Sequence, residues 1–191
     1  MRVISGIYKR RRFDVPNSFK ARPTTDFAKE NLFNVLSNNY FDFEDGVTAL
    51  DLFAGTGSIS IELVSRGCDK VISVEKDPQH LSFISQVMRE VKTDKCFPVR
   101  ADAFKFIEKC SEQFDFIFAD PPYALNGRFI HCFLCNRKAS FWSFKKISFR
   151  ISAEVRSYIK ALTSKLCSKL RKSILVEPTV ERVSSLTINL E

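Results

Sequence analysis

Glycine is scarce, with six residues in 191 and none after Gly127, and the two histidines and single tryptophan contrast with 19 phenylalanines. No apolar run approaches the roughly 18 residues that a membrane span needs, so a spanning role is not expected. The opening MRVISGIYKRRR has no apolar h-region, which predicts no secretory signal and a cytoplasmic protein. Six cysteines in such a chain read as reduced thiols. One CxxC, Cys132 to Cys135 beside His131, has no second pair, so no metal is expected. There is no internal repeat. Acid is missing in two places. The first twelve residues carry Arg2, Lys9, Arg10, Arg11 and Arg12 with no Asp or Glu, and residues 128–191 hold 13 basic residues against 4 acidic ones. Residues 1–127 are close to neutral, with 17 and 18, within a total charge of +8. A basic arm and a basic tail around a neutral middle suit phosphate neutralisation on a nucleic acid, or form a solvated surface.

The most informative stretch is Phe114 to Tyr123, FDFIFADPPY. Its apolar run reads as a buried strand that stops at Asp120. That places a carboxylate at a strand C-terminus, the edge of an open α/β sheet where ligands bind. Pro121 and Pro122 stiffen the loop and remove two N–H donors, leaving carbonyls as acceptors. Asp120, those carbonyls and the flat ring of Tyr123 suit a planar base bearing an amine.

Taken in order, residues 2–15 read as two short strands around a basic turn, with Arg10, Arg11 and Arg12 as phosphate contacts. Thr24, Thr25 or Asp26 then caps a helix whose predicted apolar stripe is Ala28, Leu32, Val35 and Leu36. Glu30, near its start, pairs with Arg22 if the loop folds back. Val47 to Phe53 is a strand, followed by Ala54-Gly55-Thr56-Gly57 and a helix from about Ser58 to Arg66, with Ile59, Leu63 and Val64 inward and Gly67 at C′. Two glycines at a strand-to-helix turn allow backbone to approach a ligand. A dinucleotide fingerprint needs a third glycine three residues on, where this chain has Ser60. This argues against hydride transfer and for another adenosine ligand.

Lys70 to Val74 is the second strand, ended by Glu75, which stands where an acid bonds ribose hydroxyls. Asp77 and Pro78 open the next helix as cap and N1 residue. Its predicted core stripe is Leu81, Ile84, Met88 and Val91. Phe97 to Val99, broken by Pro98, is an edge strand. Asp102 follows, either capping the helix 103–110 or bonding an adenine amine. The β-α-β-α-β-α-β order predicts a doubly wound, mostly parallel α/β sheet.

Together these segments resemble the class I S-adenosylmethionine-dependent methyltransferases, and more closely the RsmD-like family, which methylates the exocyclic N2 of a guanine in 16S ribosomal RNA. The resemblance covers residues 1–125 and rests on RVISGIYKRRRFDVP, RPTTDFAKENLFNVL, LDLFAGTGSISIE, VEKD and DPPY. It implies a Rossmann-like sheet ordered 3-2-1-4-5-7-6 with a small N-terminal β-hairpin and helix extension. It implies an RNA-contacting unit over 1–40 and a methyltransferase domain over 41–191. Asp51, Ala54, Gly55 and Gly57 would wrap the methionine part of S-adenosylmethionine, Glu75 the ribose, and Asp102 with Ala103 the adenine. Asp120, Pro121, Pro122 and Tyr123 would hold the guanine, with Arg22, Pro23 and Thr24 at the mouth of the site. The implied partner is 16S rRNA or the assembling small ribosomal subunit, bound by a monomer.

After Leu125 the family pattern is lost. Aromatics, serines and basic residues mix without helical period until a basic amphipathic segment over 152–172. Residues 174–177 and 184–190 read as late strands. An abrupt change of this kind suggests a shifted reading frame or a substituted C-terminus. Two rival functions remain on sequence alone. One is methylation of another amine, DNA adenine-N6 or protein glutamine-N5. The basic arm and Asp rather than Asn at position 120 argue against it. The other is RNA binding without catalysis, against which the intact glycine loop and DPPY argue.

Overall fold

The computed structural model describes residues 1–19, 24–39 and 42–122, together with the backbone of two later strands. Helix α1 (Asp26–Asn39) starts where the Thr25 hydroxyl accepts the Ala28 N–H at 3.2 Å, an N-cap. The remaining elements are β1 (Thr48–Leu52), α2 (Ser58–Ser65), β2 (Lys70–Glu75), α3 (Pro78–Glu90), β3 (Cys96–Arg100), α4 (Ala103–Lys109), β4 (Phe116–Ala119), β5 (Lys146–Arg150) and β6 (Ser185–Asn189). They form one sheet ordered β3-β2-β1-β4-β5-β6, parallel except for the antiparallel β5–β6 pair. This is the doubly wound α/β arrangement predicted from the element order. Pro98 sits in β3, an edge strand among the described residues, where its missing N–H disturbs the ladder least.

Strand alternation divides the core. Ala49, Val71, Phe116 and Phe118 pack with Ile59, Leu63, Ile84 and Phe33 on one face of the sheet. Leu50, Leu52, Ile72, Val74, Ile117 and Ala119 pack with Ala103 and Ile107 of α4 on the other. The central strands β1, β2 and β4 therefore bury both of their faces, as a parallel sheet covered by helices requires.

The elements differ from the sequence reading in instructive ways. The N-terminal hairpin is a tight loop closed by one antiparallel bridge, Arg2 to Arg12, rather than two extended strands. Its hydrogen bonds run from Val3 N–H to the Arg11 carbonyl at 3.0 Å, from Arg10 N–H to the Val3 carbonyl at 3.0 Å, and from Phe13 N–H to the Met1 carbonyl at 2.9 Å. Val3 and Phe13 are buried in the cluster that contains α1 and α2. In α1 the buried face is Lys29, Leu32, Phe33 and Leu36; Ala28 and Val35 are only half-buried. All eight residues of α2 are buried, not three. Of the stripe predicted for α3, Ile84, Met88 and Val91 are buried, joined by Phe83 and Val87, while Leu81 is only half-buried. β6 coincides with the late strand expected over 184–190, and β5 takes the place beside β4 that the order implied by the resemblance gives to a fifth strand, in a segment without strand periodicity of its own. The proposed helix over 152–172, the strand over 174–177 and the Cys132–Cys135 pair lie outside the described residues.

Candidate active site

Strand β1 lies between β2 and β4, with Leu52 paired to both Val74 and Ala119. The loops leaving these three strands therefore emerge side by side. This is where chain direction across the sheet reverses, the switch point at which open α/β sheets bind ligands. Ala54, Gly55 and Gly57 from the first loop, Glu75 from the second and Asp120 from the third are brought together there.

The glycine loop is held by its neighbour. Ala54 N–H donates to the Val74 carbonyl at 3.0 Å and Gly57 N–H to the Ala54 carbonyl at 2.8 Å. Phe53, Gly55 and Gly57 all have positive φ, at 60°, 56° and 72°. At Gly57 the restriction is also steric, because a Cβ would stand 2.8 Å from Ile84 Cγ1 on α3. Glu75 organises the turn with both oxygens. Oε2 accepts Gly55 N–H at 2.7 Å, while Oε1 accepts Lys76 N–H and Asp77 N–H, each at 2.8 Å.

Asp51 lies beneath this loop, 1% exposed. The Ser60 hydroxyl donates to it at 2.5 Å and is itself 2.5 Å from the Ser73 hydroxyl. Ser60 is the residue that replaces the third glycine of a dinucleotide fingerprint, and here its side chain supports a carboxylate. Burial pushes the Asp51 carboxyl up to about 7; the Ser60 bonds oppose the rise, and the charges of Asp120 and Glu75 add to it. The site thus gathers three carboxylates around a glycine turn. A cationic ligand relieves that repulsion, so the donor set fits the sulfonium and ammonium of S-adenosylmethionine.

Asp102 and Ala103 stand at the tip of β3. The Asp102 carboxylate caps α4 by accepting Phe104 N–H at 3.1 Å, and the Lys76 ammonium is 3.3 Å from its other oxygen. Although desolvation works the other way, Lys76 and the helix amides hold Asp102 below the ordinary carboxylate range. Asp120 is half-buried, Pro121 buried and Pro122 exposed. Tyr123, Arg22 and Pro23 lie outside the described residues; Thr24 is half-buried, just before the cap of α1. Glu30 is exposed on α1.

Lys9, Arg10, Arg11 and Arg12 are all exposed at the N-terminal loop. Arg10 adopts a left-handed φ of 71°, and Arg11 reaches Glu90 at the end of α3 at 3.4 Å. The loop is anchored by a buried polar cluster that sequence reasoning missed. Glu62 of α2, wholly buried, accepts Ile4 N–H at 2.8 Å, Ser5 N–H at 3.0 Å and Arg66 Nε–H at 2.9 Å. Lys29, also wholly buried, stands 3.9 Å from Glu62 and donates to the Arg2 carbonyl. Ser65 accepts Tyr8 N–H at 3.0 Å and donates to the Ser5 carbonyl at 2.5 Å. At Gly6 a Cβ would lie 1.7 Å from the Ser65 carbonyl oxygen, so only glycine permits this approach. The sequence carries little signal of this cluster, since Glu62 has Ser58 and Ser65 beside it at helical spacing, as a solvent-facing charge would. Among the described residues no helix is long and apolar enough to cross a membrane, and no group of metal-ligating side chains occurs.

Comparison with known proteins identifies a family and a fold. The family described as conserved hypothetical protein 95 matches residues 1–139. A ribosomal RNA small subunit methyltransferase D from Buchnera aphidicola subsp. Baizongia pistaciae is 31% identical over 123 residues, covering 64% of this chain and 61% of the relative. The protein of the same name from Haemophilus influenzae is 35% identical over 133 residues, covering 66% and 65%. The chain thus spans somewhat under two thirds of the length of these curated relatives. Among solved structures, the Escherichia coli protein yhhF has a TM-score of 0.71 at 21% identity, covering 100% of this chain and 98% of its own. A dimethyladenosine transferase from Plasmodium falciparum has a TM-score of 0.63 at 16% identity, covering 85% and 62%. Such likenesses establish the methyltransferase type of Rossmann-like fold. With its motifs, its sheet order and a family match over most of its length, the chain belongs to the RsmD family, that of conserved hypothetical protein 95.

Proposed function

We propose that this protein is an S-adenosylmethionine-dependent rRNA methyltransferase that acts on the exocyclic N2 of a guanine in 16S rRNA. The observation that carries the reading is the pairing of β1 with β4, which sets the glycine loop beside Asp120-Pro121-Pro122. The names of its relatives supply the substrate class, a small-subunit ribosomal RNA.

When bound, S-adenosylmethionine supplies a methyl group activated on a sulfonium. Gly55 and Gly57 let backbone approach it, Glu75 takes its ribose, Asp102 and Ala103 its adenine, and Asp51 lends negative charge beneath the loop. The chain's own task is to hold and orient the acceptor. A guanine amine is a poor nucleophile because its lone pair is delocalised into the ring. Asp120 and the Pro121 carbonyl accept its two N–H groups, which favours a pyramidal nitrogen. Asp120 takes the released proton, directly or through water, while Pro122 and Tyr123 frame the base. Such alignment is worth several kcal/mol. Arg10, Arg11 and Arg12 contact phosphates, with Arg22, Pro23 and Thr24 at the mouth.

The test is to incubate the protein with labelled S-adenosylmethionine and small-subunit particles and map the label. Asp120→Ala should lower single-turnover transfer by a hundredfold or more, on the order of what a positioned acid–base group supplies, with cofactor affinity nearly intact. Label on adenine or on protein, or a fully active Asp120→Ala variant, refutes the assignment.

A further inference from the structure

A cleft of about 360 Å³ opens on the outer side of α3, between that helix and the end of the N-terminal segment. Pro16, Phe19, Pro78 and Phe83 line its apolar part, and Gln79 and Gln86 stand at its edge. Among the described residues its lining contains no ionisable side chain. Phe19 is held in place: its ring centroid is 4.4 Å from that of His80, and it meets Phe83 edge-on at 5.6 Å. It remains half exposed, while both glutamines are exposed. None of these residues belongs to the site at the sheet's C-terminal edge.

The chain path relates the cleft to the basic arm. Arg11 contacts Glu90 at the C-terminal end of α3, and Phe19 contacts His80 and Phe83 near its N-terminal end. Residues 11–19 therefore run antiparallel along the helix. His80 and Glu90 are ten residues apart in α3, or about 15 Å at the helical rise. Exposed cations at one end and a neutral, ring-floored cleft at the other match the two halves of a nucleotide strand. Phosphates meet Lys9 to Arg12, and a base meets the cleft. A fixed aromatic ring is a stacking platform, and a glutamine amide offers the paired donor and acceptor that a base edge presents.

We propose that this cleft binds one unpaired base of the RNA substrate, away from the base that is methylated. The inference rests on the RNA reading above. The base stacks on Phe19, and Gln79 and Gln86 meet its edge, while the strand's phosphates continue to the arm. Binding here fixes the register of the RNA before the target enters the Asp120 site.

The test uses a single-stranded 16S-derived RNA bound by the full protein, and the same RNA with abasic nucleotides scanned one position at a time. Phe19→Ala should weaken binding roughly five- to a hundredfold, the range of one lost base stack. Phe19→Tyr should restore it. The slope of log affinity against log salt should not change, since no phosphate contact is removed. One abasic position should bind wild type as weakly as Phe19→Ala binds intact RNA, and the combination should be no weaker. Gln79→Ala with Gln86→Ala, at exposed positions that leave the core intact, should reduce discrimination among bases at that position. Unchanged affinity in the Phe19 and glutamine variants, or additive losses at every abasic position, overturns the cleft and leaves the methyltransferase reading standing. Failure of the wild type to bind RNA or transfer a methyl group overturns both.

Discussion

Glu62→Ala removes the group on which the docking of the N-terminal loop depends. The carboxylate is wholly buried and accepts two backbone amides, Ile4 at 2.8 Å and Ser5 at 3.0 Å, besides Arg66 at 2.9 Å. Its loss leaves both amides without an acceptor, at about 1–3 kcal/mol each where water cannot reach them. It also takes from Lys29, wholly buried 3.9 Å away, its nearest carboxylate partner. Breaking a buried pair by removing one partner costs about 3–5 kcal/mol. These terms overlap, and a loss near 4 kcal/mol is expected, a large part of the ~5–15 kcal/mol that holds a typical domain. Glu62→Gln keeps the shape but turns an NH2 towards one of the two amides, and should cost about half as much. Lys29→Met should be milder than either, because Glu62 retains Arg66 and both amides. Denaturant unfolding gives the three values, and hydrogen exchange shows whether the Ile4 and Ser5 amides lose protection. A loss under about 1 kcal/mol for Glu62→Ala, with both amides still protected, refutes the reasoning.

Three further outcomes follow from the site. Glu75→Ala should weaken S-adenosylmethionine binding by about 1.5–3 kcal/mol through lost charge-assisted hydrogen bonds; calorimetry showing no binding of that ligand by wild type, but binding of NAD, rejects the pocket assignment. Asp51 has a folded pKa near 7 against an ordinary 3.8. The folded state therefore binds more protons than the unfolded one between those values, and the stability of wild type relative to Asp51→Asn should fall as pH rises from 4 to 7. About three pH units correspond to roughly 4 kcal/mol; a pH-independent difference contradicts the burial argument. Replacing Arg10, Arg11 and Arg12 with Ala should weaken related and unrelated RNA alike and flatten the salt slope by roughly two to three units; unchanged affinity and slope make the arm a solvated surface.

Much of this protein is legible before folding is considered. The apolar runs ending at Glu75 and Asp120 identify two strands and their C-terminal ends, because a buried strand must stop where a charge meets water. Asp77 before Pro78 marks a helix start, and its carboxylate indeed accepts Gln79 N–H at 2.8 Å. Pro98 places its strand at an edge through the missing N–H. Other features depend on partners distant in sequence. Lys29 and Glu62 look like solvent-facing charges until α1, α2 and the N-terminal loop close over them, and 58 residues separate Glu62 from the Ile4 amide it accepts. The α1 and α3 stripes keep Leu32, Leu36, Ile84, Met88 and Val91 and gain Phe33, Phe83 and Val87, because neighbouring packing, not local spacing, sets how wide a side is covered. The strand Lys146–Arg150 has little apolar run of its own and is defined by pairing with β4. Local chemistry thus determined where the strands end and which residues stand there. The family resemblance implied that β1 and β4 lie side by side, and their pairing bears it out; only the tertiary structure decided that Glu62 and Lys29 are buried beneath the N-terminal loop, because contacts between segments distant in the chain carry no mark in the local sequence of either one.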